Sequence, residues 1–141
     1  ALLISLVVTF LPLIFFDGTI GCIKPWFFIQ LKCNRGDNYF SFKAFFENAF
    51  DWRFTDYGSE YTAFNNSGLE GGIFASQRVA QAENGAPLLV LYAKNISEVQ
   101  RKVEDAGGAI SKPLFDFPGG CRFHFIEPGG NELAVWSESA K

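Results

Sequence analysis

The sequence predicts an α+β protein: two βαβββ modules whose strands form a curved mixed sheet around a cavity, with the helices outside. Three observations carry this. Strand-like and helix-like apolar patterns come in the order strand, helix, strand, strand, strand, and that order then repeats. The candidate helix-start residues Asn38 and Asn95 lie 57 residues apart, and the glycine pairs at 71–72 and 129–130 lie 58 apart. A period shared by two kinds of landmark marks an internal repeat. Neither copy can bury both faces of its own sheet, so the two must combine around an interior.

The 141 residues suit one domain with a proper core. Residues 1–25 form an atypical apolar N-terminal segment. Residues 26–141 are the domain, with modules at about 26–76 and 86–138. Residues 1–16 carry no charge. They fall short of the ~20 residues that span a bilayer, and Pro12 interrupts them. A basic n-region and a small-residue cleavage site are not evident, so neither a membrane nor a secretory role is expected. The segment is expected to bury itself against its own domain or a partner subunit.

In the first module, residues 26–33 read as a strand with Phe27, Ile29 and Leu31 on one face and Phe28, Gln30 and Lys32 on the other. Asn38 is the expected helix cap. Tyr39, Phe42, Phe45, Phe46, Ala49 and Phe50 then follow helical spacing, as a core-facing stripe does. Strands are expected at 52–56, 61–64 and 72–75, separated by Gly- and Asn-rich turns. Residues 76–86 are a polar linker. In the second module, 88–93 is a strand and Asn95-x-x-Glu98 is a capping-box pattern. Ile96, Val99, Val103 and Ala106 make the helical stripe, and Gly107-Gly108 stops it. Strands at 109–114, 121–126 and 132–136 follow. The last two are joined by Glu127-Pro128-Gly129-Gly130-Asn131, a hairpin turn by its Pro and Gly content.

Composition excludes several classes. With 48% hydrophobic residues, 17% aromatic and 17 phenylalanines, the chain is not of disordered type. A net charge of −3 without a Lys/Arg cluster argues against nucleic acid. Cys22, Cys33 and Cys121 are odd in number and lack CxxC spacing, so reduced thiols in a cytoplasmic protein are expected. His124 is the only histidine, so any metal would need mostly carboxylates.

Four stretches carry a resemblance. They are Lys43-Ala-Phe-Phe-Glu-Asn-Ala-Phe-Asp-Trp52, Gly85-Ala-Pro-Leu-Leu-Val-Leu-Tyr92, Val103-Glu-Asp-Ala-Gly-Gly-Ala-Ile-Ser-Lys-Pro113 and Phe123-His-Phe-Ile-Glu-Pro-Gly-Gly-Asn-Glu-Leu133. Together they make residues 26–138, most strongly from 43 onward, resemble the vicinal oxygen chelate superfamily. That family includes glyoxalase I, bleomycin-resistance proteins and extradiol dioxygenases, and the chain resembles its small single-domain, glyoxalase-like branch. The resemblance implies a divalent metal held by His, Glu or Gln from the first and last strand of each module. In this chain those positions fall near Phe28, with Gln30 the nearest donor, near Gly71 or Gly72, and on Leu88 and Ala134. Leu, Ala and Gly side chains supply no metal donor. The resemblance therefore implies the fold and speaks against the family's metal chemistry, and no cofactor is expected. The alternative is a metal-dependent lyase, isomerase or dioxygenase with a rearranged site of Gln30, Glu70, Glu132 and His124. Relatives commonly dimerise, which implies a homodimer.

If Ala134 takes the family position facing the cavity, strand alternation brings Glu132 and Trp136 with it. Arg122 and His124 join from the neighbouring strand, and Tyr92 from the strand bearing Leu88. With Gln30, these are the candidate substrate-binding residues. His124 could act as an acid, a base or an anion-binding donor, but a histidine bracing Glu132 or the turn is the weightier reading. For Arg122 and Glu132, a cross-strand ion pair weighs more than substrate binding. Cys121 is expected to be a buried small hydrophobe. The expected function is metal-free binding of a small, partly aromatic molecule in an apolar cavity.

Overall fold

A computed structural model of the chain describes residues 30–33, 37–68, 71–76 and 78–139. These build two four-stranded sheets. The first contains β1 (Gln30–Cys33), β2 (Arg53–Asp56), β3 (Tyr61–Asn65) and β4 (Gly71–Ala75), in the order β1-β4-β3-β2. The second contains β5 (Leu89–Tyr92), β6 (Ala109–Phe117), β7 (Gly120–Ile126) and β8 (Glu132–Ser137), in the order β5-β8-β7-β6. In each, the first strand pairs parallel with the last and the other pairings are antiparallel. Helix α1 (Asp37–Phe50) leads from β1 to β2, and α2 (Ile96–Asp105) from β5 to β6. The α+β architecture of two βαβββ modules is present, as two open mixed sheets.

The phenylalanine stripe makes the core. Phe42, Phe45, Phe46 and Phe50 of α1 are all buried. Phe46 stacks on Trp52 at 4.4 Å between ring centroids, and Trp52 on Phe64 of β3 at 4.6 Å. The other side of the stripe reaches the second module, where Phe45 and Phe50 lie 5.7 and 6.0 Å from Phe125 of β7. Ile96, Val99 and Val103 of α2 complete the same core.

The ends of the helices follow local chemistry. The Glu98 amide donates to Asn95 Oδ1 at 3.1 Å, as the capping pattern requires. Gly107 takes a φ of 94°, which only glycine adopts without strain, and the chain leaves α2 there. Asn38 is not the cap of α1, because the helix already includes Asp37. Asn34, Asp37 and Asn38 are all acceptable capping types, and residue type alone does not choose among them.

Most strand boundaries agree with expectation within a residue. Residues 26–29 of the expected first strand lie outside the described residues, and the exception among the rest is β6, which runs to Phe117 instead of stopping near 114. It tolerates Pro113 because it is an edge strand, where an amide donor is dispensable, and its register shifts twice along its length. The polar linker is not free. Ala80 N–H donates to Asn131 Oδ1 at 2.9 Å, and Glu132 N–H donates to the Ala80 carbonyl at 2.7 Å. The linker is thereby laced to the last hairpin. At the turn of that hairpin, the buried Glu127 carboxylate accepts from the Gly129 amide and from the Asn131 amide and side chain. Burial nonetheless pushes the Glu127 carboxyl above its ordinary range.

Among the described residues no helix is long and apolar enough to cross a membrane. The apolar segment 1–25 lies outside the described residues.

Candidate functional site

Alternation along two strands lays out the site. Leu133 and Val135 of β8 and Phe123 and Phe125 of β7 are fully buried in the core. Glu132, Ala134 and Trp136 therefore take the opposite face, with Arg122 and His124 beside them. Arg122 is the register partner of Trp136, and His124 of Ala134. On the other side of β8, Tyr92 is the partner of Trp136, with 5.2 Å between their rings. The five residues expected to share a face do share it. The Tyr92 hydroxyl, however, donates to Glu138 at 2.8 Å, and that bond raises its pKa. The side chain of Gln30 and the whole of Glu70 lie outside the described residues.

Two environments divide this face. In the first, Val90, Phe117, Gly119, Arg122 and Trp136 line a recess of about 270 Å³. The Arg122 guanidinium lies over the rings of Phe115 and Phe117, 5.1 and 5.3 Å from their centroids. Such contacts place a cation on the negative face of an aromatic ring. The expected Arg122–Glu132 ion pair does not form. Glu132 sits four residues before Trp136 on β8, roughly 13 Å along a strand, so it is out of reach of the residue opposite Trp136.

The second environment surrounds Glu132. Its carboxylate pairs with His124 Nδ1 at 3.2 Å, accepts from the Ala82 amide at 3.0 Å, and accepts from the Ser111 hydroxyl at 3.4 Å. Burial alone would push its carboxyl up, but these partners outweigh that and hold it below the ordinary range. His124 is buried, and burial is the main reason its pKa falls below the usual value. Arg122 and Lys112 push the same way against the pull of Glu132. The ring is therefore neutral near pH 7. An ionised Glu132 can only accept, so the network assigns the proton to Nδ1 and leaves Nε2 as an acceptor. The expectation that His124 braces Glu132 agrees with this geometry.

Among the described residues, three buried atoms on this face have no hydrogen-bond partner: Arg122 Nε, His124 Nε2 and Trp136 Nε1. A buried polar atom left unpaired costs about 1–3 kcal/mol. Cys121 points the other way, into the core, and burial raises its thiol pKa. It behaves as the small hydrophobe expected.

Sequence reasoning missed Val90, Phe115 and Phe117. Phe115-Asp116-Phe117 does alternate, which is a strand signal, but Pro113 reads as a strand end unless the strand is known to be an edge.

The first sheet contributes a negative result. Thr62, Phe64 and Ile73 face the core, so Gly72 lies on the opposite face with Tyr61. The Tyr61 ring occupies the space above Gly72, and any side chain there would collide with it.

Comparison with known proteins identifies the family. Residues 35–135 match the model of the Glyoxalase/Bleomycin resistance protein/Dioxygenase superfamily. The chain belongs to that superfamily. No curated protein matches the sequence significantly. Among solved structures, fosfomycin resistance protein FosX from Listeria monocytogenes, crystallised as a point variant with Mn(II) and a dihydroxypropylphosphonic acid, is similar. It is 15% identical with a TM-score of 0.63, covering 84% of this chain and 90% of that one. Lactoylglutathione lyase from Agrobacterium tumefaciens is 18% identical with a TM-score of 0.57, covering 77% and 90%. A glyoxalase-related enzyme from Fulvimarina pelagi is 18% identical with a TM-score of 0.56, covering 77% and 85%. Likeness at these identities shows the shared fold.

Among the described residues, the positions carried over from the family offer no donors for its divalent metal. At the carried-over positions, Ala134 is fully buried opposite His124 and has no ligating atom. Gly72 has none, and the Tyr61 ring fills its place. Among the described residues no three His, Cys, Asp or Glu side chains converge on one point. Glu132 and His124 converge, but as a hydrogen-bonded pair.

Proposed function

We propose that this protein binds a small, partly aromatic molecule on the face of its second sheet that lies opposite the core, without a metal. One observation carries the reading: the recess of about 270 Å³ with walls of Val90, Phe117 and Trp136 and a single cation, Arg122. Small-molecule sites are concave and mostly apolar, with few fixed polar groups. Trp136 and Phe117 offer ring faces to an aromatic ligand, and Tyr92 backs Trp136. Glu132 holds His124 in one tautomer at the neighbouring position. Membership of a superfamily that contains bleomycin-resistance proteins is consistent with sequestration as the role.

The chain is further proposed to work as a homodimer, an expectation that rests on the family resemblance. Light scattering after gel filtration measures this directly.

A thermal-shift screen tests the binding reading. Binding to the folded state raises the melting temperature by mass action. Small aromatic compounds are expected to raise it in metal-free buffer, and adding Mn²⁺, Ni²⁺ or Zn²⁺ alone should leave it unchanged. A large rise with one of these metals, and none with any aromatic compound, would return the chain to the family's metal chemistry.

A further inference from the structure

We infer that the molecule taken up in the recess is an anion, a planar carboxylate carried on an aromatic body. This rests on the binding reading above and names the ligand's charge and shape.

The argument is one of hydrogen-bond sign. The side-chain polar atoms lining the recess belong to Arg122 and Trp136. A guanidinium and an indole N–H can only donate. Arg122 Nε and Trp136 Nε1 are both buried and both without a partner, and the two residues face each other across β7 and β8. A ligand that satisfies them must present acceptors to both donors. Nothing neutralises the charge, since Arg122 makes no ion pair with any described carboxylate and its ring contacts with Phe115 and Phe117 leave its full positive charge. Lys112, held over Phe115 at 4.0 Å, adds a second positive charge on the same strand face. Of the carboxylates on that face, Glu132 is committed to His124, Ala82 and Ser111, and Glu138 accepts from the Tyr92 hydroxyl. A cationic ligand would meet the positive charges of Arg122 and Lys112. A neutral amide can offer its carbonyl oxygen to the donors but brings no charge to match the guanidinium. A carboxylate presents two coplanar oxygens, the shape that a guanidinium fork matches. The ring faces of Phe117 and Trp136 then take the apolar body.

Isothermal titration of the wild-type chain with three isosteric probes tests this: naphthoate, naphthamide and aminomethylnaphthalene. Naphthoate is expected to bind at least about tenfold more tightly than naphthamide, the usual margin of a charge-assisted bond over a neutral one. The amine should bind weakest. Raising NaCl should weaken naphthoate and leave naphthamide unchanged, because salt screens only the charged contact. Arg122→Gln should abolish the preference for naphthoate while naphthamide still binds. If Arg122→Gln does not fold, the salt dependence of the wild type decides alone.

Equal affinity for all three probes would overturn the inference and leave the aromatic-binding reading standing. Binding of none of them would remove both. If Arg122→Gln changes the oligomeric state but not the preference for naphthoate, the guanidinium serves a second copy of the chain and the inference falls.

Discussion

His124 is buried like a core residue yet lies on the site face, and its titration shows which environment governs it. Its pKa is lowered on folding, so the unfolded chain takes up a proton before the folded chain does. Stability contributed by the neutral ring is full above the unfolded value, about 6.5, and is lost as pH falls below it toward the folded value. Glu127 runs the other way. Its carboxyl is raised on folding, so stability falls as pH rises from about 4.3 toward its folded value. The two windows can overlap, and only a variant isolates the histidine. Replacing His124 by Gln is expected to flatten the loss of stability as pH falls below about 6.5 relative to the wild type, measured by urea denaturation at each pH. Identical pH profiles for the two proteins would mean that His124 does not stay neutral in the fold. Of the site residues, His124, Arg122, Glu132, Trp136 and Tyr92 were placed on their common face by strand alternation once the family resemblance had put Ala134 and Leu88 on the cavity side. The pairing among them was not legible. Alternation gives the face but not the distance along it, and so Glu132 was expected on Arg122 when it lies near His124.

At the scale of elements, the two helices differ in how they are held. Helix α1 is driven by its phenylalanines, four of which are buried. Helix α2 is shorter and carries only Ile96, Val99 and Val103 inward, so its ends matter more. The Asn95 cap satisfies an amide that would otherwise lack a partner within the helix. Changing Asn95 to Ala is expected to cost about 1 kcal/mol of unfolding free energy, and changing it to Asp close to nothing, read from chemical denaturation midpoints. Equal losses in both variants would mean that Asn95 acts through something other than its side-chain oxygen. The cap of α2 was readable because Asn95 is followed three residues later by Glu98, two cues in register. The cap of α1 was not, because three candidates stand within five residues. The end of β6 was misplaced for a related reason: the meaning of Pro113 depends on the neighbouring strands, which no local pattern reports.

At the scale of the molecule, the repeat in the sequence leads to two sheets of the same order, but the repeat does not make the modules independent. Helix α1 belongs to the first module by sequence, yet Phe45 and Phe50 rest on Phe125 of the second. The linker between the modules is bonded back onto the last hairpin through Ala80, Gln81 and Ala82. One of those bonds ends on Glu132, so the carboxylate that orients His124 is itself positioned by the join between modules. Unfolding should therefore be a single cooperative event, with helical signal and tryptophan fluorescence falling together. Phe125→Ala removes a fully buried ring at the joint and should cost about 3–5 kcal/mol. Because the lost contacts lie between modules, the variant should also separate the two signals. The fluorescence of Trp52, in the first core, would then change at a different denaturant concentration from the ellipticity of α2. A Phe125→Ala protein that is destabilised yet still melts in one step would place the joint elsewhere, with the laced linker the next element to cut.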